Sequence, residues 1–75
     1  MEEKYKERYR LLGLNIAYYR KMRKMTQEQL AEKAGIERSR VSKTEIAWVG
    51  TSVDVIFKIA DALEVETYKL FMNHR

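Results

Sequence analysis

One short predicted helix carries the side chains best suited to binding a polar partner. The helix runs from about Arg38 to Ile46, with Val41 facing the core. Its outward face is polar and basic and contains Arg38, Ser39, Ser42 and Lys43. A guanidinium and an ammonium donate hydrogen bonds and carry positive charge, and hydroxyls both donate and accept. This pattern indicates recognition by hydrogen bonding and not covalent chemistry.

Residues that catalyse reactions or bind metals are almost missing from the sequence. The one histidine, His74, stands next to the C-terminus, and there is no cysteine nucleophile or glycine-rich phosphate loop. Asp54 and Asp61 are two turns apart on one predicted helix and are explained as exposed charges. We therefore predict no enzyme activity, no cofactor and no zinc site.

The composition restricts the elements that position these side chains. The 75 residues include no proline, no cysteine and three glycines, which indicates one small domain of helices joined by short turns, without disulfides. The apolar runs are far shorter than the ~20 residues of a membrane span. Residues 1–10 lack the apolar segment of a secretory signal. We expect an all-α, cytoplasmic protein.

The positive charge is concentrated near the N-terminus. The net charge is +4, and residues 1–25 contain eight Lys or Arg against three Glu. Such a region attracts nucleic acid or an anionic membrane surface, but a solvated helix face has the same composition. Membrane binding is not favoured, because the apolar side of this helix is needed for the core. The charge alone assigns no function.

Apolar periodicity predicts the first helix, from about Glu3 to Arg23. Its stripe has spacings of four and three residues and consists of Tyr5, Tyr9, Leu12, Ile16 and Tyr19. Gly13 interrupts the pattern and marks either close packing or a break in the helix. Residues 1–11 are interpreted as a basic N-terminal extension that is separable from the rest.

A pair of short helices follows the first. Thr26 begins one of them, with Gln29 completing a capping box, and Gly35 ends it. Ala31 is small where this helix crosses the next, and Val41 fills the space between them. Two helices joined by a glycine-containing turn, the second with a polar outer face, form a helix-turn-helix. This motif presents the start of its second helix to the major groove of DNA.

The C-terminal part of the sequence is the most apolar. Ser52 caps a fourth predicted helix, whose stripe consists of Val53, Ile56, Phe57, Ala60 and Leu63. A last short segment from Thr67 to Met72 contributes Tyr68, Leu70, Phe71 and Met72. These four residues are more than so short a segment can bury, so we predict a dimer interface there. Closure of the monomer core is the alternative explanation.

The sequence resembles the phage Cro and repressor type of helix-turn-helix proteins, also called the XRE family. The similarity extends from Leu12 to Phe71 without a gap and is strongest in TQEQLAEKAGI and IFKIADALEV. It implies a compact, lambda-repressor-like five-helix bundle, with residues 12–75 forming a DNA-binding domain that ends in a dimerisation helix. It also implies a transcriptional regulator, expected to be a homodimeric repressor that binds double-stranded DNA at a pseudo-palindromic operator.

The resemblance also implies roles for individual residues. The positions that reach base edges are Arg38, Ser39, Ser42 and Lys43. Arg38 is expected to pair with guanine, because a guanidinium matches its O6 and N7 atoms. The positions that contact phosphate are Thr26, Gln27 and Arg40. Arg20 and Glu45 match a partly buried structural ion pair, which we prefer to a direct contact with DNA.

Several positions depart from the family pattern. Glu37 replaces the usual Ser or Thr cap and would repel phosphate, and Thr44 replaces a large apolar residue. Residues 46–51 replace a loop that is usually polar or basic and often touches phosphate. Three explanations are open for Trp48 and Val49: core packing, a protein interface, or packing on the DNA backbone. A protein-binding module, such as an antitoxin or adaptor that uses the Trp48 loop or the surface of Leu70, Phe71 and Met72, is the main alternative function.

Overall fold

Four α-helices, with a short 3-10 segment before the first and another after the last, make up the fold of residues 1–73. A computed structural model describes residues 1–73. Its α-helices are α1 (Lys6–Met22), α2 (Gln27–Ala34), α3 (Arg38–Glu45) and α4 (Val53–Leu63), and its 3-10 segments are Glu3–Tyr5 and Thr67–Phe71. The all-α prediction is confirmed. The fifth helix of the predicted bundle needs correction, because the segment after α4 is a 3-10 turn.

The first α-helix is continuous through the glycine that interrupts its sequence pattern. Gly13 is buried where α1 crosses the end of α3, so it marks close packing and not a break. Leu12 and Ile16 on the same helix are buried, and Tyr9 packs against the core from its edge. Residues 6–11 therefore continue the helix that carries the core residues.

A single apolar core contacts all four α-helices and the C-terminal 3-10 segment. Its buried members are Leu12, Ile16, Leu30, Ala31, Val41, Ile56, Ile59, Ala60, Ala62, Leu63 and Leu70. Ala31 and Val41, which the sequence predicts at the contact between α2 and α3, are both buried. The stripe predicted for α4 is wrong at Val53 and Phe57, which are exposed. α4 contains more apolar residues than one face of a helix can hold. The face that includes Ile59 is buried, and the face with Val53 and Phe57 is exposed.

The C-terminal 3-10 segment packs beside α1 and covers one side of this core. Leu70 is fully buried. The Asn15 side chain is buried too, and its Nδ2 donates to the carbonyl oxygens of Leu70 and Met72 at 2.8 Å each. Leu70 was predicted to lie in a dimer interface, and that is wrong because its side chain is enclosed within one chain. Tyr68, Phe71 and Met72 are exposed.

All four α-helices end in the same backbone motif. The residue that reverses the chain is left-handed in each case, and these residues are Lys24, Gly35, Ala47 and Glu64. The next N–H then donates to the carbonyl five residues earlier, at 2.8 to 3.1 Å, in the pairs Met25–Arg20, Ile36–Ala31, Trp48–Lys43 and Val65–Ala60. This is the Schellman motif, which is commonest with glycine. Only one of the four turns has glycine at this position.

We expect Lys24→Gly to raise the free energy of unfolding by about 1 kcal/mol, because a Cβ disfavours the left-handed conformation. Lys24 is exposed, so little packing is lost. The corresponding rise in Tm is roughly 4–8 °C for a domain of this size. Thermal unfolding followed by circular dichroism measures it. The matched control is Lys21→Gly, three residues earlier within α1, which should lower Tm because glycine is a poor helix former.

Candidate nucleic-acid interface

The predicted helix-turn-helix is formed by α2, the turn at Gly35 and α3. A complete capping box begins α2: Gln29 N–H donates to Thr26 Oγ1 at 3.0 Å, and Thr26 N–H donates to Gln29 Oε1 at 2.8 Å. Gly35 has φ 73°, which ends α2 and allows α3 to start at Arg38. The capping box and the glycine turn are confirmed, and they fix the position of α3 relative to α2.

The side chains predicted to read bases lie together on one side of α3. Val41 and Thr44 are buried on the opposite side. At about 100° per residue, Ser39, Ser42 and Lys43 point away from these two residues, with Arg38 at the edge of the same surface. We name this surface the recognition face, and it consists of Arg38, Ser39, Ser42 and Lys43. Arg40 lies at the other edge of the helix and is exposed.

The cations of α3 are free to bind an external partner. Within residues 1–73, Arg38, Arg40 and Lys43 have no ion-pair or hydrogen-bond partner for their side chains. Glu37 precedes them at the N-cap, and its side chain makes no capping hydrogen bond, as its residue type predicts. No side chain of residue 37 therefore caps the N–H groups at the start of α3, beside Arg38.

A two-point ion pair joins the end of α3 to α1. Arg20 Nε donates to Glu45 Oε2 at 2.7 Å, and Arg20 Nη2 donates to Glu45 Oε1 at 3.1 Å. The two side chains are 12% and 6% exposed. Arg20 Nη1 also donates to the Met25 carbonyl at 2.8 Å. These contacts use the guanidinium inside the fold, so Arg20 positions α3 and is not available for DNA.

Gln27 has surroundings that the sequence did not predict. Its Nε2 donates to Glu45 Oε1 at 3.0 Å, which makes its side chain part of the ion-pair network. One amide hydrogen is left for another acceptor. The predicted phosphate contact of Gln27 would use this hydrogen or the backbone N–H groups at the start of α2. Thr26, the other predicted phosphate residue there, is exposed.

Large apolar side chains are exposed directly after α3. Ile46 is 68% exposed and Trp48 is 72% exposed, whereas Val49 is half-buried. Core packing is therefore wrong as the explanation of Trp48. Ala47, the left-handed residue that follows Ile46, is buried instead, and the Trp48 N–H donates to the Lys43 carbonyl at 2.8 Å. A contact with protein or with DNA is left for the Trp48 side chain.

The hydroxyl group of Thr44, which is buried in α3, makes its hydrogen bond within the helix. Thr44 occupies a position that is usually apolar in the family, and its Oγ1 donates to the Arg40 carbonyl at 2.7 Å within the helix. Threonine commonly bonds back to the carbonyl four residues earlier, so the hydroxyl is satisfied without a partner from another helix. The tendency of threonine to form this hydrogen bond could have predicted that position 44 tolerates burial.

Two other kinds of feature are missing from the part of the chain that is described. Residues 1–73 contain no cluster of three or more His, Cys, Asp or Glu placed to hold a metal ion. In the same residues, no helix combines the length and the apolar content that crossing a membrane requires. His74 lies outside the described residues.

Known proteins share both the sequence pattern and the fold. A family model described as helix-turn-helix matches residues 16–70. The restriction-modification controller protein C.AhdI from Aeromonas hydrophila is 32% identical, with a TM-score of 0.82 over 84% of this chain and 96% of that chain. The hypothetical transcription factor NHTF from Neisseria is 30% identical, with a TM-score of 0.86 over 89% of this chain and 77% of that chain.

More distant similarity adds the fold alone. The clp gene regulator ClgR from C. glutamicum is 19% identical, with a TM-score of 0.77 over 83% of this chain and 80% of that chain. No curated protein sequence matches the chain. The family match includes α2, α3 and the ion-pair residues, so the resemblance to Cro and repressor proteins is confirmed. The chain belongs to the XRE type of the helix-turn-helix family, whose members are DNA-binding regulators of transcription.

Proposed function

We propose that this chain binds a pseudo-palindromic operator as a homodimer and represses transcription from it. The observation that carries the proposal is the recognition face, together with the free cations of α3. Its position is fixed by the core and by the Arg20–Glu45 pair. A helix held in this way can enter the major groove, where its side chains meet base edges.

The residues divide between reading bases and contacting phosphate. Arg38 sits at the N-terminal end of α3, the end that enters the groove in this motif, and a bidentate pair with guanine suits its free guanidinium. Ser39, Ser42 and Lys43 extend the same face. Arg40 projects from the other edge toward the flanking backbone, and the start of α2 offers N–H groups to a second phosphate.

The exposed apolar side chains near the C-terminus support dimerisation. Tyr68, Phe71 and Met72 are exposed, and Val53 from α4 joins Phe71 along one shallow groove. An apolar surface of this kind on a small DNA-binding domain is best covered by a second copy. Two recognition faces related by a twofold axis would then reach half-sites about 34 Å apart, one turn of the duplex.

Selection of bound sequences from a random duplex pool tests the proposal directly. We expect one enriched motif that is repeated with twofold symmetry, with half-site centres about 10 base pairs apart. Binding should weaken as salt rises, with a log–log slope of about −0.9 per phosphate neutralised. A pool without enrichment, or an affinity that ignores salt, would contradict DNA binding.

A protein-binding function is the second candidate, and the 72% exposure of Trp48 is the observation that favours it. An antitoxin or adaptor would use the loop at 46–51 to hold another protein and would not need the recognition face. A partner whose binding is lost with Trp48→Ala and kept with Arg38→Ala would support this function. The free cations of α3 are unexplained by it.

Substitutions on the two edges of α3 should have different effects on DNA binding. Arg38→Ala should cost about 1–3 kcal/mol of affinity and relax the preference at one base pair. Arg40→Ala should weaken all sequences alike and lower the salt slope by about 1. Titrations of the selected duplex at several salt concentrations measure both. Lys58→Ala, at an exposed position of α4, removes the same kind of charge and should change neither.

A charge placed in the exposed apolar groove should separate the dimer. We expect Phe71→Glu to give a monomer in sedimentation equilibrium while the helical signal is kept, because the side chain is half exposed in the single chain. Trp48→Glu is the comparison, since it places the same charge on the other exposed aromatic residue. A dimer that survives Phe71→Glu and is lost with Trp48→Glu would transfer the interface to the loop at 46–51.

A further inference from the structure

An apolar residue continues the row of side chains on the recognition face. Ile46 follows Ser42 by four positions and Ser39 by seven, the spacing that places helical residues on one side. It is the C-cap of α3, with φ −101° and ψ 9°, so the chain reaches it in nearly helical geometry. Its side chain is 68% exposed. A row that starts with a free arginine therefore ends with a branched aliphatic side chain.

Groups that face this row carry the charge that suits DNA. The shallow depression beside Ile46 is bordered by Lys6, Arg10 and Trp48, with Glu3 as its acidic residue, and Arg10 is paired with Glu7. Glu45, next in sequence, is already paired with Arg20. Positive charge thus borders Ile46 on the α3 side through Lys43 and on the α1 side through Lys6. An anionic partner with one apolar group is the occupant that fits.

We propose that Ile46 contacts the C5-methyl group of a thymine in each half-site, which makes it a specificity-determining residue. The inference rests on the proposed function. The thymine methyl is the apolar group that base pairs present in the major groove, and aliphatic side chains contact it. Trp48 is not placed on bases, because it follows the left-handed turn at Ala47 and leaves the helical row.

The length of α3 gives the expected position of this thymine. Ile46 lies eight residues after Arg38, which is about 12 Å along the axis at a rise of about 1.5 Å per residue. Successive nucleotides of one strand are about 3.4 Å apart. The methyl group should therefore lie about three to four base pairs from the guanine that Arg38 contacts, toward the C-terminal end of α3.

Replacement of thymine by deoxyuridine tests the contact, because it removes only the methyl group. The probe is the duplex that the unmodified chain selects from a random pool, with each thymine replaced in turn. At one position per half-site, we expect about a fourfold loss of affinity for the unmodified chain, as burial of one methyl group predicts. Ile46→Ala should bind both duplexes equally and more weakly. Ser42→Ala, on the same face, should keep the preference for thymine.

The outcomes separate this inference from the proposed function. A thymine preference that is equal in the unmodified chain and in Ile46→Ala would overturn the inference, and so would a duplex in which no methyl group matters. If the selected duplex is still bound and Arg38→Ala weakens that binding, the proposed function remains supported. A pool without any enriched duplex would overturn both. Thermal unfolding checks that Ile46→Ala folds, which its exposure predicts.

Discussion

Gly13→Ala is expected to destabilise the protein by about 3 kcal/mol or more, which is enough to unfold much of so small a domain. A Cβ at this position would lie 2.5 Å from the Thr44 carbonyl oxygen and closer still to that of Glu45. Both atoms are backbone, so they cannot rotate away as the end of a flexible side chain would. The end of α3 would have to separate from α1.

The other two glycines are built-in controls for this effect. At Gly50 an added Cβ would meet the Tyr9 hydroxyl at 3.5 Å, which is ordinary contact, so Gly50→Ala should change Tm little. At Gly35 it would meet nothing within 4 Å, but φ is 73°. Gly35→Ala should therefore cost about 1 kcal/mol, from backbone strain alone. In thermal unfolding, Tm should fall most for Gly13→Ala, less for Gly35→Ala and least for Gly50→Ala.

Near-normal stability of Gly13→Ala would mean that α1 and α3 can move apart, and the position of the recognition face would then not depend on α1. The expected loss has the opposite meaning. Because Gly13 touches the last carbonyl groups of α3, it fixes how deeply α3 sits in the fold. A residue without a side chain thereby contributes to the placement of Arg38 and Lys43.

The helix-turn-helix was predictable because its constraints are local. Thr26 and Gln29 satisfy backbone groups within one turn, and Gly35 is the residue type that a left-handed turn prefers. The recognition face follows from the same kind of information, since Val41 is the apolar residue of a polar segment and sets which side is outward. One helix period was sufficient for that.

Features that depend on tertiary packing were not predictable. The left-handed residues at Lys24, Ala47 and Glu64 have no glycine to indicate them. The burial of Leu70 depends on Asn15, 55 residues earlier, which holds the C-terminal carbonyl groups. No spacing within the sequence relates these two residues. The bond from Gln27 Nε2 to Glu45 also joins distant segments, so the sequence did not indicate it.

Glu45→Ala is expected to lower the free energy of unfolding by about 3–5 kcal/mol, because it leaves Arg20 partly buried without a counter-charge. The loss extends beyond one pair. Gln27 Nε2 also bonds to Glu45, so the start of α2 and the end of α3 would lose the same anchor. Denaturant unfolding without DNA measures the effect, and any loss of DNA binding by this variant then follows from the fold.

The exposed pair Arg10–Glu7 is the matched control for this charge removal. Its atoms are 3.2 Å apart, but the Glu7 side chain is 83% exposed, so Glu7→Ala should change stability by less than about 1 kcal/mol. An apolar double variant, Arg20→Met with Glu45→Leu, separates the cost of an orphaned charge from the value of the pair. It should recover much of the stability lost in Glu45→Ala, because burying two apolar groups avoids the desolvation penalty. Equal small losses in Glu45→Ala and Glu7→Ala would contradict a structural role for the buried pair.

A double variant that folds but no longer binds DNA would instead show that the pair, with Gln27, sets the angle at which α3 presents Arg38.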